Sequence, residues 1–436
     1  LGGGGIARVL IASAALICTQ PALIGAETTS KATAVAAPAT SVVPKIARSP
    51  KAGVPVARDV RLFEAGGETR FEIRIDRPVA VDAFVLTAPN RVVVDLPEVR
   101  FDLGTDPTRL KAGSITGWRY GLFATGRSRL VFDLSGPVRL ERLDVSVGDD
   151  GAALLVVGFA PATRQEATAE QGRMRAWRPE GDAGLAEETA TAVALPQTDK
   201  PRRAKPLIVL DPGHGGLDAG TVSPATGTPE KVVVLEIAQR LKKKIEASGR
   251  YEVLLTRTDD RFVPLGDRVK FARSHHADLL LSIHCDAEYD HSVRGTTVYT
   301  LAEKASDAQA AALAAKENQS DQIAGILPEE AGEEVADILI DLTMRETKQF
   351  SHDFATALLD RMKTVGRLVK GNPHRYGNLR VLKAHDVPSA LVEIGFLSNK
   401  EDEALMRSPE WQEKSTAAIL DSIDGFFAKH VARAPN

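Results

Sequence analysis

The apolar residues of this 436-residue chain change their period once, and that change limits what it can fold into. From Val54 to Ala162 they come in short alternating runs, and from Lys205 onward strand-like runs alternate with stretches of helical spacing. Period two buries one face of a strand, whereas a period near 3.6 buries a stripe along a helix. Residues 163–204, rich in Ala, Glu, Thr, Arg and Pro, show neither period and are expected to be a linker. The pattern therefore predicts an N-terminal small all-β sandwich over 54–162 and a C-terminal α/β domain over 205–430.

In the first region the expected strands are 69–75, 91–96, 127–134 and 153–159, with turn signals at Gly66-Gly67, Pro89-Asn90, Gly126 and Gly148–Gly151. In the second, strands are expected at 206–210, 251–256, 279–283, 296–299 and 390–394. Helices are expected over 230–248, around Arg268–Phe271 and over 409–429; Val234, Ile237, Ala238, Leu241 and Ile245 share one face of the first. Ahead of both regions, Arg8 and the apolar run Val9–Cys18, followed by Gly25-Ala26, read as an export signal over 1–26. Residues 27–53, rich in Ala, Thr, Ser, Pro and Val, read as a flexible tether.

The charge balance, 55 Lys and Arg against 58 Asp and Glu, gives no basic excess and no support for nucleic-acid binding. The only long apolar run is the N-terminal one, so stable membrane insertion is not expected. With two cysteines, Cys18 and Cys285, any metal site is expected to draw on His, Asp and Glu. A monomer is the plain expectation for so modular a chain.

Polar residues then stand out where the pattern does not demand them. Asp211-Pro212-Gly213-His214-Gly215-Gly216 ends a strand and presents a histidine at the sheet edge where α/β folds place ligands. Thr228-Pro229-Glu230 opens a helix, and Glu230 there is equally what the helix dipole favours, with Thr228 as cap and Pro229 as first helical residue. Ser282-Ile283-His284-Cys285-Asp286 closes an apolar strand, where a histidine is often an ordinary edge residue. Glu393, within Leu391–Phe396, is costly to bury unless paired, metal-bound or catalytic. Two histidines and a glutamate form a catalytic zinc set with an open fourth position, and a further glutamate supplies the general base that hydrolysis needs. Asp211 and Asp286 could orient the rings; Arg257 and Arg268 could touch substrate or pin the fold. The other histidines are not expected to be ligands.

These blocks, with Leu255-Thr256-Arg257, follow one another as in the zinc-dependent N-acetylmuramoyl-L-alanine amidases, which residues 205–430 resemble. The resemblance implies Zn2+ held by His214, Glu230 and His284, with Glu393 as catalytic carboxylate. It also implies a zinc-exopeptidase-like sheet flanked by helices, and hydrolysis of the amide between the muramoyl lactyl group and L-alanine of peptidoglycan. Residues 54–162 resemble the AMIN β-domain that targets such enzymes to the cell wall or division site in Gram-negative bacteria, implying a periplasmic protein. Between 303 and 349 the strand–helix alternation stops, and helices are expected over 306–324 and around Val335, Ile338, Leu339 and Leu342. In division-associated members a similar insert is a regulatory helix whose glutamate fills the open zinc position until a partner with a LytM-type domain displaces it. On that resemblance Glu317 is the inhibitory ligand, although beside Lys316 it could simply face water. Two other readings stay open: a zinc carboxypeptidase or deacetylase of the wall, and an inactive peptidoglycan-binding protein.

Overall fold

The computed structural model describes residues 53–104, 107–172, 174–179, 203–326 and 338–431. The expected leader, the tether up to residue 52 and most of the linker lie outside the described residues.

The first region contains β1 (Val56–Ala65), β2 (Glu68–Ile75), β3 (Val81–Thr87), β4 (Asn90–Pro97), β5 (Arg100–Phe101), β6 (Ile115–Ala124), β7 (Arg127–Leu134), β8 (Val138–Val147) and β9 (Ala153–Pro161), then helix α1 (Arg164–Glu170) and β10 (Arg175–Trp177). They build two sheets, ordered β5-β1-β2-β9-β8 and β10-β3-β4-β7-β6. Strand β2 shows why they pair: Phe71, Ile73 and Ile75 are buried while Arg70, Glu72 and Arg74 alternate outward. The buried faces meet in one core, where the Phe71 ring stands edge-on to Trp118 and Phe132 at 4.9 and 4.8 Å.

Two features depart from the sequence pattern. Strands β1, β3, β6 and β8 complete the sheets without having stood out as alternating runs. The stretch after Ala162 also carries structure. Thr163 caps α1 in a reciprocal box with Glu166, and β10 pairs antiparallel with β3. Within α1 only Ala167 is buried, so there is no apolar stripe for a periodicity reading to detect.

The second region contains β11 (Leu207–Pro212), α2 (Glu230–Ser248), β12 (Glu252–Leu255), α3 (Leu265–Ser274), β13 (Leu279–His284), β14 (Thr297–Leu301), α4 (Ala308–Glu317), α5 (Ser320–Ile323), α6 (Ile338–Met362), β15 (His374–Gly377), β16 (Ser389–Glu393), α7 (Lys400–Met406) and α8 (Pro409–Val431). Its mixed sheet runs β12-β11-β13-β16-β14-β15; the first four strands are parallel, and β14 is antiparallel to β16. Ile208 and Leu210 of β11 face α2, α6 and α8, while Leu207 and Val209 face α3. Cover on both faces explains why these strands read as unbroken apolar runs. The side chains of Val335, Ile338, Leu339 and Leu342 lie outside the described residues.

Candidate active site

The carboxyl ends of β11, β13 and β16 meet the start of α2. Register sets His284 of β13 directly opposite Glu393 of β16, and Pro212 of β11 opposite Ile283. The loop after Pro212 must turn immediately: a Cβ on Gly213 would stand 2.3 Å from the His284 ring, so only glycine fits there. His214 itself adopts a left-handed backbone with φ 59°.

Buried arginines hold this loop. Arg257 donates to the carbonyls of Pro212 and Gly213 at 2.9 and 2.8 Å, and Arg268 to those of Pro212 and His214 at 2.9 and 2.8 Å. Both side chains are engaged with backbone, so they pin the fold. Asp211 accepts from Thr256 Oγ1, Ser282 Oγ and Arg268 at 2.6, 2.7 and 2.8 Å, tying β11 to β12, β13 and α3. Burial works against its charge, but Arg268 and the two hydroxyls outweigh that and hold its carboxyl below the usual range.

Asp211 therefore does not orient His214, and Asp218 does. His214 Nδ1 lies 2.9 Å from Asp218 Oδ2. Burial opposes charge on Asp218, yet His214 and Ser320 keep its carboxyl strongly depressed, hence ionised and accepting. Asp218 thereby holds a proton on Nδ1 and turns Nε2 toward the site. Burial opposes charge on the ring, but Glu230, Asp218 and Glu317 outweigh it and raise the His214 pKa well above the usual value. A cation bound at Nε2 would therefore displace a proton there. The signal for Asp218 was its place four residues after His214. Asp286 accepts from Thr221 Oγ1 at 2.8 Å and from Lys316, while its own N–H donates to Glu393 Oε2 at 2.8 Å. It positions the glutamate instead of a histidine ring.

Pro229, not Thr228, occupies the cap position of α2, with no side-chain cap bond. Glu230 is the first helical residue and turns inward. Its Oε1 accepts from the Cys285 N–H and its Oε2 from the Thr221 N–H, at 2.8 and 2.9 Å. The same oxygens stand 3.3 Å from His284 Nδ1 and 3.2 Å from His214 Nε2. Burial opposes its ionisation, and the two histidines overcome it, keeping the carboxyl well below the usual range.

Among the described residues, His214, Glu230 and His284 form a buried group whose ligand atoms lie within 4.8 Å of one another. His214 Nε2 and His284 Nδ1 are both buried without a hydrogen-bond partner. Orphaned imidazole nitrogens facing a carboxylate are costly in a protein-only site, and a divalent cation would satisfy both. Two nitrogens and one oxygen are a donor set that zinc accepts.

Two more carboxylates close in. Glu393 is fully buried, Oε1 lacks a partner, and burial, followed by Asp286, Glu230 and Glu317, pushes its pKa well above the usual range. Glu317, at the end of α4, is also buried; its Oε2 lies 3.3 Å from His284 Nδ1 and 3.7 Å from His214 Nε2. Beside it Lys316 pairs with Asp286 and donates to Thr221 Oγ1 at 2.8 Å. A small cavity bordered by His214, His284, Glu317 and Ser320 measures about 10 Å³, room for no more than a water.

The family model described as N-acetylmuramoyl-L-alanine amidase matches residues 208–425, and the AMIN domain model matches 59–157. The chain belongs to the N-acetylmuramoyl-L-alanine amidase family. The amidase is 34% identical over 376 residues to the N-acetylmuramoyl-L-alanine amidase AmiC of Escherichia coli O6:H1, covering 85% of this chain and 89% of that protein. It is 31% identical to the enzyme of the same name from Neisseria meningitidis serogroup B, covering 91% and 94%. The amidase AmiA of Escherichia coli K12 is 36% identical over 224 residues, 51% of this chain and 76% of that protein. No helix among the amidase's described residues is long and apolar enough to cross a membrane.

Proposed function

We propose that this amidase hydrolyses the bond between the muramoyl lactyl group and L-alanine of peptidoglycan, in the periplasm, for separation of daughter cells. The observation that carries the reading is Glu393: a buried carboxylate with one oxygen fixed and the other unpaired, beside a His–Glu–His group, in a chain of this family. His214, Glu230 and His284 would hold Zn2+. When bound, zinc supplies a Lewis acid for the amide carbonyl and lowers the pKa of a nearby water. Glu393 removes a proton from the attacking water and delivers it to the leaving nitrogen. The Asp286 N–H, bonded to Oε2, keeps Oε1 aimed for that transfer. Asp218 fixes the His214 tautomer, and Arg257 and Arg268 hold the loop that carries it.

Glu317 supports a resting state in which α4 withholds the site, since its carboxylate stands 3.3 Å from His284 Nδ1 and 3.7 Å from His214 Nε2, against the nitrogens that would hold the metal. Release then falls to a partner with a LytM-type domain that moves the helix, shifting a closed population to an open one. The AMIN region would bring the enzyme to the wall or division site.

The test is digestion of purified sacculi with product masses read directly, alongside Glu393→Gln and a chelator-treated sample. Free stem peptides beginning with L-alanine are expected. Glu393→Gln should lower the rate by about 10²–10⁴-fold at unchanged zinc content, and chelation should abolish it until zinc is restored. Release of C-terminal amino acids or acetate would instead assign a carboxypeptidase or deacetylase. Wall binding without hydrolysis or zinc uptake would leave only a binding protein.

A further inference from the structure

We infer that the β-domain is the latch of the α4–α5 segment: the outer face of its β3-β4-β7-β6 sheet holds the segment's carbonyl end against the catalytic domain. The inference rests on the reading that this segment withholds the site.

The outer face of that sheet repeats one pattern twice, Arg91, Val93 and Asp95 on β4 and Arg129, Val131 and Asp133 on β7, with Arg119 alongside on β6. On a lone sandwich this face would meet water. Here three arginines donate to three consecutive carbonyls of the insert: Arg91 to Gln322, Arg119 to Ile323 at 2.7 Å and Arg129 to Ala324 at 2.9 Å. These carbonyls end a short helix, where the last ones lack partners within the helix; that of Gln322 also accepts from the Gly325 N–H at 3.0 Å. The guanidinium groups are pre-set by carboxylates: Asp133 accepts from Arg91 and Arg119 at 2.6 and 2.5 Å, and Asp95 from Arg129 at 2.6 and 2.9 Å. Fixed, partly desolvated arginines bind carbonyls more strongly than free surface ones would.

Apolar contact closes the same seam. Val93 and Val131 pack with Ala324 and Ile326 of the insert and with Leu217 and Phe262 of the catalytic domain. Gly325 crosses the sheet at φ 71°, and a Cβ there would stand 2.7 Å from Val93 Cγ2. The domains also join directly, the Phe262 N–H donating to the Leu122 carbonyl at 3.0 Å. On its other side the segment is tied to the site. Ser320 Oγ donates to Asp218, Asp321 Oδ1 accepts from the Leu265 N–H at 2.8 Å, and Glu317 ends the preceding helix. Loosening the β-domain contact frees the carbonyl end of a short segment whose other end fills the site. Occupation of the β-domain and opening of the site are thereby coupled, and the coupling is reciprocal.

The experiment compares wild type, Arg91→Ala/Arg119→Ala, Gly325→Val and Glu317→Ala as full chains. It reads amide hydrogen exchange over 308–326, zinc content and release of stem peptides from sacculi. The double variant leaves the buried Arg129–Asp95 pair intact, and Gly325→Val leaves the sandwich untouched. Unchanged exchange in β2 and β9 shows that each variant is folded. A latch predicts faster exchange over 308–326 in both seam variants and release raised at least about fivefold, the low end of ordinary coupling. If Glu317→Ala raises release while both seam variants keep wild-type exchange and release, the latch is overturned and the blocking helix stands. If Glu317→Ala leaves release unchanged, the blocking reading fails; exchange then decides alone, a rise supporting the latch as a contact and no rise overturning it.

Discussion

At the scale of single residues, the site depends on carboxylates doing different work in nearly the same place. Glu230 stays ionised because two histidines face it; Glu393 is driven toward its neutral form because burial and neighbouring carboxylates act together. Such divergence suits one as ligand and the other as proton carrier. Asp218 takes the supporting position, fixing the His214 tautomer from outside the ligand set. Asp218→Asn is expected to weaken zinc retention about 10–100-fold, measured by zinc remaining after graded chelation, while the unfolding midpoint moves little. Zinc held as tightly as in wild type would remove Asp218 from that position. His214, His284 and Glu393 stood out in or just after apolar strands and Glu230 at a helix start, and the family resemblance implied their roles, whereas Asp218 was passed over for Asp211 and Asp286. The reason is that a hydrogen bond across a turn depends on the loop's path, here set by a left-handed His214.

At the scale of elements, α4 carries its function in its periodicity. Ala310, Leu313, Ala314 and Glu317 are its buried residues, spaced to form one stripe, and the stripe's last member is a carboxylate. Leu313 packs in the cluster of Leu265, Tyr299, Leu379 and Leu391, beneath which β16 leads to Glu393. Leu313→Ala removes buried contacts of a kind worth about 2–5 kcal/mol in a core, and part of that loss falls on the seating of α4. Basal release from sacculi should rise with unchanged zinc content. An unaltered rate together with unaltered exchange in α4 would show that apolar packing does not hold the helix. Helix α1 is the opposite case: held by a capping box and one buried alanine, it has no stripe and could not be read from periodicity.

At the scale of the whole molecule, Asp133 links the β-domain to the insert through Arg91 and Arg119, which gives the seam a pH dependence of known sign. Burial raises its pKa, but the two arginines outweigh burial and leave it below the ordinary 3.8. A carboxyl depressed on folding contributes stability that is full above its unfolded value and lost as the pH falls through its folded one. The difference in urea stability between wild type and Asp133→Asn should therefore be constant from about pH 7 to about pH 5 and shrink below the ordinary carboxylate value. A constant difference down to about pH 2 would mean that the charge of Asp133 does not hold the seam. By itself the sequence determined the two periods, the strands that lead to His214, His284 and Glu393, the helix that begins at Glu230, and a helical stretch within 306–324, because each depends on residues near one another in the chain. It also carried an unread trace of the seam: Val92-Val93-Val94 and Leu130-Val131-Phe132 are apolar on consecutive residues, which a sheet tolerates only when both faces are covered. What covers the second face, and that Arg91, Arg119 and Arg129 meet three successive carbonyls some two hundred positions later, only the tertiary structure decided. Contacts between distant segments are set by how domains pack, and no local period encodes that packing.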